Sequence, residues 1–479
     1  MKLGALFDQG VPPDARDLEI AGVTADSRKV RPGFVFAALK GAAAHGRDFV
    51  LAAKAAGAVA ILSGGDMDDP GVAHVVSLEP RRALALAAAR FYPRQPQIIV
   101  GVTGTNGKSS TVDFLRQIWA HAGIRAASLG TLGAIGPDGI VDLGHTTPDP
   151  VAIHAMLDLL AAGGVTHAAM EASSHGLDQH RLDGVRFAAG AFLNLTQDHL
   201  DYHETMDIYR DAKLRLWDLL PAGAPAVINA DAVEAPAFED AARGRGLDVV
   251  SCGWRAADLK IAELWPRPNG QKLDLRWRGA EAVVELPLIG EFQALNAVTA
   301  AALALSLGMV PAQVWAGMGA LRPVKGRLEH IGATPDGAHV FVDYAHTPDG
   351  LNVLLRAARP HAPGRIVLVF GCGGDRDKAK RAKMGAVAAK FADVAIVTDD
   401  NPRTEDAVAI RKQVLEGVPG AMEIGDRARA IREAVAMLKS GDALLIAGKG
   451  HETGQIVGRE IIPFSDQQEA QKALGAVHA

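Results

Sequence analysis

A glycine-rich loop between an apolar run and a helical segment constrains the fold of this chain more than any other feature. The loop GVTGTNGKSST covers residues 101–111 and follows the apolar run Ile98-Ile99-Val100. Glycines let backbone amides approach phosphate oxygens, and a helix that follows turns its positive end towards an anion. Strand, loop and helix in this order predict an α/β domain that binds a nucleotide.

The loop departs from the strict phosphate-loop pattern at one position. That pattern places a glycine five residues before Gly107, where this chain has Val102. The other positions match, because Lys108 can reach terminal phosphates and the Ser109 hydroxyl can bind Mg2+. A glycine turn without a ligand is the alternative, but the adjacent lysine and serine favour a variant nucleotide-binding loop.

Length, charge and cysteine usage exclude several classes of protein. The chain has 479 residues, and at roughly 150 residues per domain this suggests about three domains. A net charge of -5 gives no general basic field, so nucleic acid is not expected as a partner. Cys252 and Cys372 are the only cysteines, which fits a reducing compartment and excludes a disulfide framework. We expect a cytoplasmic monomer without a membrane span, since no apolar stretch reaches about 18 residues.

Two breaks divide the chain into three predicted domains. The proline-bearing segment FYPRQPQ ends at residue 97, just before the phosphate loop's strand, and ALRPVKGRLEH supplies a second break near residue 321. We therefore predict domains at residues 1–97, 98–321 and 322–479. Short apolar strands alternate with helical segments, which predicts α/β folds with parallel, doubly wound sheets.

Polar segments after the loop carry candidate magnesium ligands. Glu171 ends an apolar strand, and the residues alone leave open whether it binds Mg2+ or is a solvated carboxylate. His199 and His203 have the spacing of a helical zinc pair, but H-E-x-x-H is absent, so a polar cluster at a helix start is favoured. A contact from His199 to Mg2+ would be unusual because Mg2+ prefers oxygen. The helical pattern around Lys213 predicts a surface lysine.

Three loops in the last third follow apolar strands and carry charged side chains. They are FGCGGDRDKAKR at 370–381, TDDNPRTED at 398–406 and AGKGHET at 447–453. The first lacks the G-x-G-x-x-G spacing, so a nicotinamide site is not favoured. Loops at the carboxyl ends of parallel strands meet in one crevice, and arginine forks beside carboxylates suit an amino-acid-like zwitterion. Each loop alone is compatible with surface ion pairs; together they predict a shared site containing Arg376, Asp400, Asn401, Arg403 and Glu452.

Eight motifs, in order, carry a resemblance to a known family. They are TGTNGKSS, EASSHGLDQHRL, LTQDHLDYH, GRLE, DYAHTP, GCGGDRDK, DNPR and GKGHE, and ADSRKVRPGFVFAALKG extends the match towards the N-terminus. This set resembles the Mur ligases, and within them the diaminopimelate-adding branch of peptidoglycan synthesis. The family implies an α/β three-domain architecture, with a UDP-sugar-binding domain, a central P-loop ATPase domain and a C-terminal Rossmann-like domain that receives an amino acid. It also accounts for the variant loop, since Mur ligases use T-G-T-N-G-K.

The resemblance implies an ATP-dependent amide ligation. In the family, ATP phosphorylates the D-Glu carboxylate of UDP-MurNAc-L-Ala-D-Glu, and the amine of meso-diaminopimelate attacks the acyl phosphate. The products are the amide, ADP and phosphate. Lysine-adding relatives, MurF and folylpolyglutamate synthase share this chemistry and are the rival ligases. A nucleotide-gated binding protein is the rival from another class.

Matched by position, the family motifs assign roles to individual residues of this chain. The resemblance implies catalytic roles for Lys108, Glu171, His199 and Lys213. It implies Mg2+ contacts from Ser109, Glu171, His199 and, as N6-carboxylysine (a carbamylated lysine), Lys213. The implied ATP contacts are Gly104, Thr105, Asn106, Gly107, Lys108, Ser109, Ser110, Asn296, Arg327 and Asp343.

Two further sets are implied for the substrates. Those for the UDP-sugar dipeptide are Ser27, Thr146, Thr147, Ser173, Gln179 and Arg181. Those for diaminopimelate are Arg376, Asp400, Asn401, Pro402, Arg403, Gly448 and Glu452.

The Asn-Pro-Arg form of the 400–403 run favours diaminopimelate over lysine. Diaminopimelate carries a carboxylate on its far carbon that lysine lacks, and Arg403 offers a fork for that group. A site built to pair a charge rejects a ligand that lacks it, because its own polar groups then stay unpaired. By resemblance, lysine-adding relatives usually lack this form of the run.

Overall fold

The protein, seen here in a computed structural model that describes residues 1–41 and 44–478, divides into two compact units. Within the described residues, no helix combines the length and the apolar character needed to cross a bilayer. Unit 1 comprises Met1–Leu259 and Thr299–Val314, and unit 2 comprises Lys260–Val298 and Trp315–Ala479.

The N-terminal part of unit 1 is a small parallel sheet with helices packed on it. Its strands pair in sequence order, and their apolar residues form a core with the longest helix. The strands are β1 (Gly22–Thr24), β2 (Phe34–Ala37), β3 (Ala58–Ser63) and β4 (Ala73–Val76). The helices are α1 (Leu3–Leu6), α2 (Val50–Ala55) and α3 (Pro80–Phe91), with 3-10 turns at Pro13–Ala15, Ser27–Lys29 and Gly46–Phe49.

A second, larger sheet of unit 1 carries the phosphate loop. Its strands are β5 (Ile98–Thr103), β6 (Ala126–Gly130), β7 (Gly133–Gly136), β8 (Gly139–Val141), β9 (His167–Glu171), β10 (Ala189–Phe192), β11 (Pro225–Asn229) and β12 (Asp248–Gly253). They run in the order β12-β11-β10-β5-β9-β6-β7-β8, and all pairs from β12 to β6 are parallel. Because β5 lies between β9 and β10, the loop after β5 opens beside the ends of both neighbours.

Helices cover this sheet and supply the remaining side chains of the site. They are α4 (Lys108–His121), α5 (Pro150–Ala162), α6 (Ser174–Asp178), α7 (Leu200–His203), α8 (Met206–Asp218) and α9 (Ala235–Gly244). Side-chain caps begin several of them: Asp149 accepts two backbone N–H groups at the start of α5, and Thr205 accepts one at the start of α8.

Unit 2 is built on a sheet covered on both faces. The strand Ile366–Phe370 is buried throughout and sends alternate side chains to two cores. Ile366, Leu368 and Phe370 enter one core, while Val367 and Val369 enter the other. A strand that is apolar on both faces is typical of a doubly wound parallel sheet, so the predicted α/β class is confirmed.

Unit 2 and its boundary contain β13 (Leu259–Arg267), β14 (Gly270–Trp277), β15 (Ala280–Leu286), β16 (Glu329–Ala333), β17 (His339–Asp343), β18 (Ile366–Phe370), β19 (Val394–Val397), β20 (Met422–Glu423), β21 (Ala443–Ala447), β22 (Gly454–Val457) and β23 (Glu460–Pro463). The strands of the doubly covered sheet run in the order β16-β17-β21-β18-β19-β20, parallel except for the β16–β17 pair. The helices are α10 (Glu291–Ser306), α11 (Pro311–Gly319), α12 (Pro348–Ala358), α13 (Lys380–Phe391), α14 (Ala407–Leu415), α15 (Arg427–Ala436) and α16 (Asp466–His478), with a 3-10 turn at Arg359–His361.

Candidate active site

The phosphate loop is held in a backbone conformation that needs glycine. Gly104 has φ of 154° and Gly107 has φ of 90°, which side-chain-bearing residues rarely adopt. A Cβ on Gly104 would lie 2.9 Å from Cβ of Leu193, so the loop packs closely against the end of β10. The Thr105 amide donates to the Asn194 carbonyl at 3.0 Å. The residues that follow β10 therefore help to hold the loop in this conformation.

Two lysines meet at one carbonyl of the loop. Lys108 Nζ donates to the Gly104 oxygen at 2.8 Å, and Lys213 Nζ donates to the same oxygen at 2.9 Å. Lys213 is 1% exposed and its Nζ lies 4.3 Å from the centre of the Tyr209 ring. Burial, and then the charge of Lys108, hold the pKa of Lys213 well below its ordinary value.

The prediction of a surface lysine at position 213 is wrong. The helical pattern located α8 but could not show that this face packs against the phosphate loop. The buried position instead places Lys213 beside the loop that the resemblance associates with ATP.

Ser109 and Glu171, two predicted magnesium ligands, are brought into direct contact. Ser109 Oγ donates to Glu171 Oε1 at 2.8 Å, and the Thr131 amide donates to the same carboxylate oxygen at 2.8 Å. Glu171 is 3% exposed, so it is not the solvated loop carboxylate that the sequence left open. Gly130 makes room for it, because a Cβ there would lie 2.0 Å from Glu171 Oε1.

His199 belongs to an aromatic cluster beside the loop. Its ring centre lies 4.9 Å from that of His175 and 6.3 Å from that of Tyr209, and its side chain is half-exposed. Tyr209 in turn contacts Thr105 through its hydroxyl at 3.3 Å. His203 is buried in the same cluster, and α7 is a single turn. In the described part of the chain, no group of three or more His, Cys, Asp or Glu side chains is arranged to hold a metal.

A cleft of about 1290 Å3 lies between the small sheet and the larger sheet of unit 1. Ser27, Gln179 and Arg181, three of the six residues predicted for the UDP-sugar dipeptide, line it. Arg181 Nη2 donates to Gln179 Oε1 at 2.7 Å, which orients both side chains. Burial, and then the nearby charge of Arg81, lower the pKa of Arg181. Arg28 and Arg81 also line the cleft, together with Asp26, which pairs with Arg28 at 2.9 Å.

The other three predicted dipeptide residues, Thr146, Thr147 and Ser173, do not line this cleft. Thr147 is 2% exposed, and its hydroxyl donates to the Glu171 carbonyl and accepts from the Ser173 amide. Thr146 and Thr131 share a hydroxyl contact at 2.9 Å. The structure therefore groups these residues around Glu171.

Unit 2 groups the remaining predicted nucleotide contacts around one turn. Asn296 Nδ2 donates to Gln293 Oε1 at 3.0 Å, and Gln293 Nε2 donates to the Arg327 carbonyl at 3.1 Å. The Arg327 guanidinium lies 4.8 Å from the centre of the Tyr344 ring. Asp343 accepts the Leu328 and Ala345 amides, and burial raises its carboxyl pKa.

A smaller cavity of about 220 Å3 opens at the carboxyl ends of the unit 2 strands. Six of the seven predicted diaminopimelate residues line it, and Pro402 does not. Sequence reasoning missed four further lining residues, Tyr344, His346, Gly373 and Lys380, although "DYAHTP" and "GCGGDRDK" contain three of them. The cavity thus combines three cations, Arg376, Lys380 and Arg403, with two carboxylates, Asp400 and Glu452.

The hairpin β22–β23 holds the 400–403 run in place. The Arg403 amide donates to the Ile456 carbonyl at 3.0 Å, and the Gly458 amide donates to the Arg403 carbonyl at 2.7 Å. Gln455 Nε2 donates to the Asp400 carbonyl at 2.7 Å. These bonds support Arg403 at φ of 51°, a conformation costly for a side-chain-bearing residue.

Family models match three consecutive regions of the chain. A model described as "Mur ligase family, catalytic domain" matches residues 19–92, "Mur ligase middle domain" matches 102–304, and "Mur ligase, glutamate ligase domain" matches 326–450. These three matches agree with the predicted three-domain Mur ligase architecture.

Curated relatives match nearly the whole chain. A UDP-N-acetylmuramoyl-L-alanyl-D-glutamate–2,6-diaminopimelate ligase of Caulobacter vibrioides is 51% identical over 486 residues, covering 100% of this chain and 99% of its own. The protein of the same name from Brucella melitensis is 50% identical over 475 residues, covering 98% and 97%.

Solved structures give the same picture at the level of the fold. The structure of a ligase with that name is 32% identical, has a TM-score of 0.78 and covers 100% of this chain and 99% of its own. A MurF structure from Acinetobacter baumannii is 19% identical with a TM-score of 0.62, covers 96% and 94%, and shares the fold. The sequence identities over nearly the full length establish that the chain belongs to the Mur ligase family.

Proposed function

We propose that this chain is an ATP-dependent ligase that joins meso-diaminopimelate to the D-Glu carboxylate of UDP-MurNAc-L-Ala-D-Glu. The observation that carries this proposal is the unit 2 cavity, where Arg376 and Arg403 lie with Asp400 and Glu452. Guanidinium forks suit a carboxylate and the carboxylates suit an ammonium, so the cavity fits the zwitterionic end of an amino acid. Relatives about 50% identical bear the name of this activity.

The phosphate loop is the proposed binding site for the ATP phosphates. Backbone amides of residues 104–110 and the start of α4 face the position of an anion in loops of this type. In that role Lys108 would exchange its contacts with the Gly104 and Thr105 carbonyls for phosphate oxygens. Asn296, Arg327 and Asp343 are further proposed ATP contacts, included by resemblance.

Mg2+ is the proposed metal cofactor. The Ser109 hydroxyl and the Glu171 carboxylate, in contact at 2.8 Å, supply the oxygen donors that this ion prefers. His199 is included by resemblance. Bound Mg2+ would neutralise charge on the phosphates during transfer.

Lys213 is the proposed site of carbamylation to N6-carboxylysine. Its Nζ is enclosed beside the phosphate loop, next to the Gly104 carbonyl and the Tyr209 ring. A carbamate replaces the cation with an anionic oxygen donor. This change suits a second Mg2+ better than an ammonium would.

The proposed ligand of the unit 1 cleft and the proposed domain boundaries also rest on the resemblance to Mur ligases. The 1290 Å3 cleft, lined by Ser27, Gln179 and Arg181, is the proposed site for the UDP-sugar dipeptide. Thr146, Thr147 and Ser173 do not line the cleft and are included by resemblance. We assign residues 1–97 to the UDP-sugar domain, 98–321 to the ATP domain and 322–479 to the amino-acid domain. A cytoplasmic location and a monomeric state complete the proposal.

Phosphate release from ATP and Mg2+ in the presence of UDP-MurNAc-L-Ala-D-Glu tests the function. We expect fast release and a tripeptide mass with meso-diaminopimelate, and little of either with L-lysine. Equal use of lysine would retain the ligase and contradict the role of Arg403. Absence of product with both amino acids would contradict the proposed function.

A further inference from the structure

A buried lysine contacts residues that line the unit 2 cavity without lining the cavity itself. Lys449 follows β21 and is 0% exposed. Its Nζ donates to Asn401 Oδ1 at 2.9 Å and to Glu452 Oε2 at 3.2 Å, and it lies 3.5 Å from Asp400 Oδ1. The ammonium therefore makes two hydrogen bonds and lies within ion-pair distance of the third oxygen. All three acceptor residues line the cavity, whereas Lys449 lies behind them.

Asn401 links this lysine to the rest of the cavity wall. Its Oδ1 accepts from Lys449 and from the Ile456 amide at 2.9 Å, and its Nδ2 donates to Glu452 Oε2 at 2.9 Å. Asn401 is 5% exposed. The side-chain amide of Asn401 therefore orients Glu452 through this hydrogen bond. This role differs from the direct contact to diaminopimelate that the resemblance implies for Asn401.

The hydrogen bonds of the protein leave acceptor capacity on both carboxylates. Asn401 and Lys449 both contact Oε2 of Glu452, so this carboxylate is held through one oxygen. Asp400 Oδ1 is buried and, in the part of the chain that the structure describes, has no hydrogen-bond partner. Buried acceptors of this kind are costly unless a donor completes them.

We propose that Lys449 is a positioning residue that holds Asp400, Asn401 and Glu452 as a receptor for the far ammonium of diaminopimelate. Two carboxylates around one small cavity repel each other, and a buried cation between them offsets that repulsion. Because the protein leaves acceptor capacity on both carboxylates, a ligand without the far ammonium leaves that capacity unused. This inference rests on the proposed function. It assigns the far ammonium of diaminopimelate to Asp400, Asn401 and Glu452, and leaves the far carboxylate to Arg403.

Three amine substrates separate the two kinds of contact. L-Lysine has the far ammonium but lacks the far carboxylate, and 2-aminopimelate has the far carboxylate but lacks the far ammonium. For the wild-type protein we expect kcat/KM with meso-diaminopimelate to exceed that with 2-aminopimelate by about 10- to 100-fold.

The Lys449→Met variant should lose recognition of the ammonium selectively. We expect the preference for diaminopimelate over 2-aminopimelate to fall to within about threefold of unity, mainly through KM for diaminopimelate. The preference for diaminopimelate over lysine should stay within about threefold of the wild-type value, since both ligands carry the ammonium. KM for ATP and for the UDP-substrate should not change. Lys449→Gln is the second variant, with similar volume and no charge, and should give the same result if Lys449→Met does not fold.

Arg365→Met is the matched control. Arg365 pairs with the buried Asp442 at 2.6 Å, at the amino ends of β18 and β21. Its loss should lower stability and leave both preferences unchanged.

Two kinds of result would overturn the inference. A wild-type preference over 2-aminopimelate that persists in both Lys449 variants would exclude the positioning role, and a parallel loss of both preferences would indicate general collapse of the cavity. A wild-type protein that makes no tripeptide would overturn the proposed function, and this inference with it.

Discussion

At the scale of single residues, burial decides what a charged side chain can do here. Lys108 and Lys213 share the Gly104 carbonyl, but only Lys213 is fully enclosed. An enclosed amine beside a second cation is disfavoured as an ammonium, which is why its pKa is lowered. The same chemistry explains why a position that looks unremarkable in a helical pattern belongs to the candidate active site.

We predict that Lys213→Met lowers the rate of tripeptide formation on the order of 100-fold, as expected for loss of a group that stabilises transferring charge. Carbon-13 NMR of wild-type protein in labelled bicarbonate should show a carbamate signal that the variant lacks. Lys412→Met, at an exposed position of α14, is the control and should retain activity. A wild-type spectrum without a carbamate signal would refute carbamylation.

Arg403→Lys tests the proposed carboxylate contact. Lysine keeps the charge but loses the two-point fork, so we expect KM for diaminopimelate to rise by about 10-fold or more. The preference over lysine should narrow by a similar factor in steady-state assays. Arg429→Lys, an exposed change in α15, should have no effect, and an Arg403→Lys enzyme with unaltered selectivity would contradict the assignment.

At the scale of elements, neighbouring segments place the functional side chains. The hairpin β22–β23 holds the 400–403 run, and the close approach of Gly130 to Glu171 places a carboxylate beside Ser109. Helix α5 is joined in a similar way to the turn that follows α6. His154, fully buried on α5, has Nε2 at 3.1 Å from the Asp183 carbonyl.

This buried histidine predicts a pH dependence of stability. Burial lowers the pKa of His154 to about 4, whereas the pKa of a histidine in an unfolded chain is about 6.5. As the pH falls below about 6.5 the unfolded chain takes up a proton that the folded chain excludes, so stability falls between about 6.5 and 4. At pH 5.5 this histidine alone should cost about 1 kcal/mol relative to pH 7.5.

Thermal unfolding at the two pH values checks this. The midpoint of the wild-type protein should fall more between pH 7.5 and 5.5 than that of His154→Gln. His121→Gln removes an exposed histidine at the end of α4 and should behave as wild type. If the unfolding midpoint fell equally in wild type and His154→Gln, another group would be responsible for the loss of stability between pH 7.5 and 5.5.

At the scale of the whole molecule, binding of the nucleotide is linked to the stability of the fold. Lys108 and Glu171, which are proposed to serve ATP and Mg2+, both belong to unit 1. A ligand that binds only the folded protein stabilises it by mass action. A nucleotide analogue should therefore stabilise the chain only when the phosphate loop and the metal are both intact.

We predict that a non-hydrolysable ATP analogue with Mg2+ raises Tm by about 2–4 °C at 100 times its Kd, corresponding to about 2.7 kcal/mol. Differential scanning fluorimetry measures this directly. Chelation of Mg2+ or the Lys108→Ala substitution should remove most of the rise, and Lys412→Met should not. A rise that survives Lys108→Ala would place the nucleotide elsewhere.

The parts of the site that sequence reasoning located are those next to strand ends. Glycine, lysine and serine at fixed spacing in residues 101–111 indicate a phosphate loop. The three C-terminal loops follow apolar strands, and a parallel sheet aligns the ends of those strands. Their meeting in one cavity follows from topology, because the ends of β18, β19 and β21 lie side by side. Local patterns therefore suffice where the chemistry sits on the ends of regular elements.

Other parts depended on contacts between residues distant in the sequence. Lys213 lies 109 positions from Gly104, and Lys449 lies 48 positions from Asn401. The periodicity of each segment does not distinguish an enclosed lysine from a solvated one. Burial of the lysine depends on which distant segment of the chain packs against its side chain. Lys380 and Arg81 likewise line their cavities through contacts between segments that are distant in the sequence.

Local spacing and the order of the motifs are enough to identify the α/β class, the phosphate loop and the family. Which charges are enclosed, which acceptors share a cation, and the contact between Glu171 and Ser109 become clear only from the folded chain. This difference arises because the energy of a charged group depends on its distance from other charges and from water. Those distances are set by packing between segments that lie far apart along the chain.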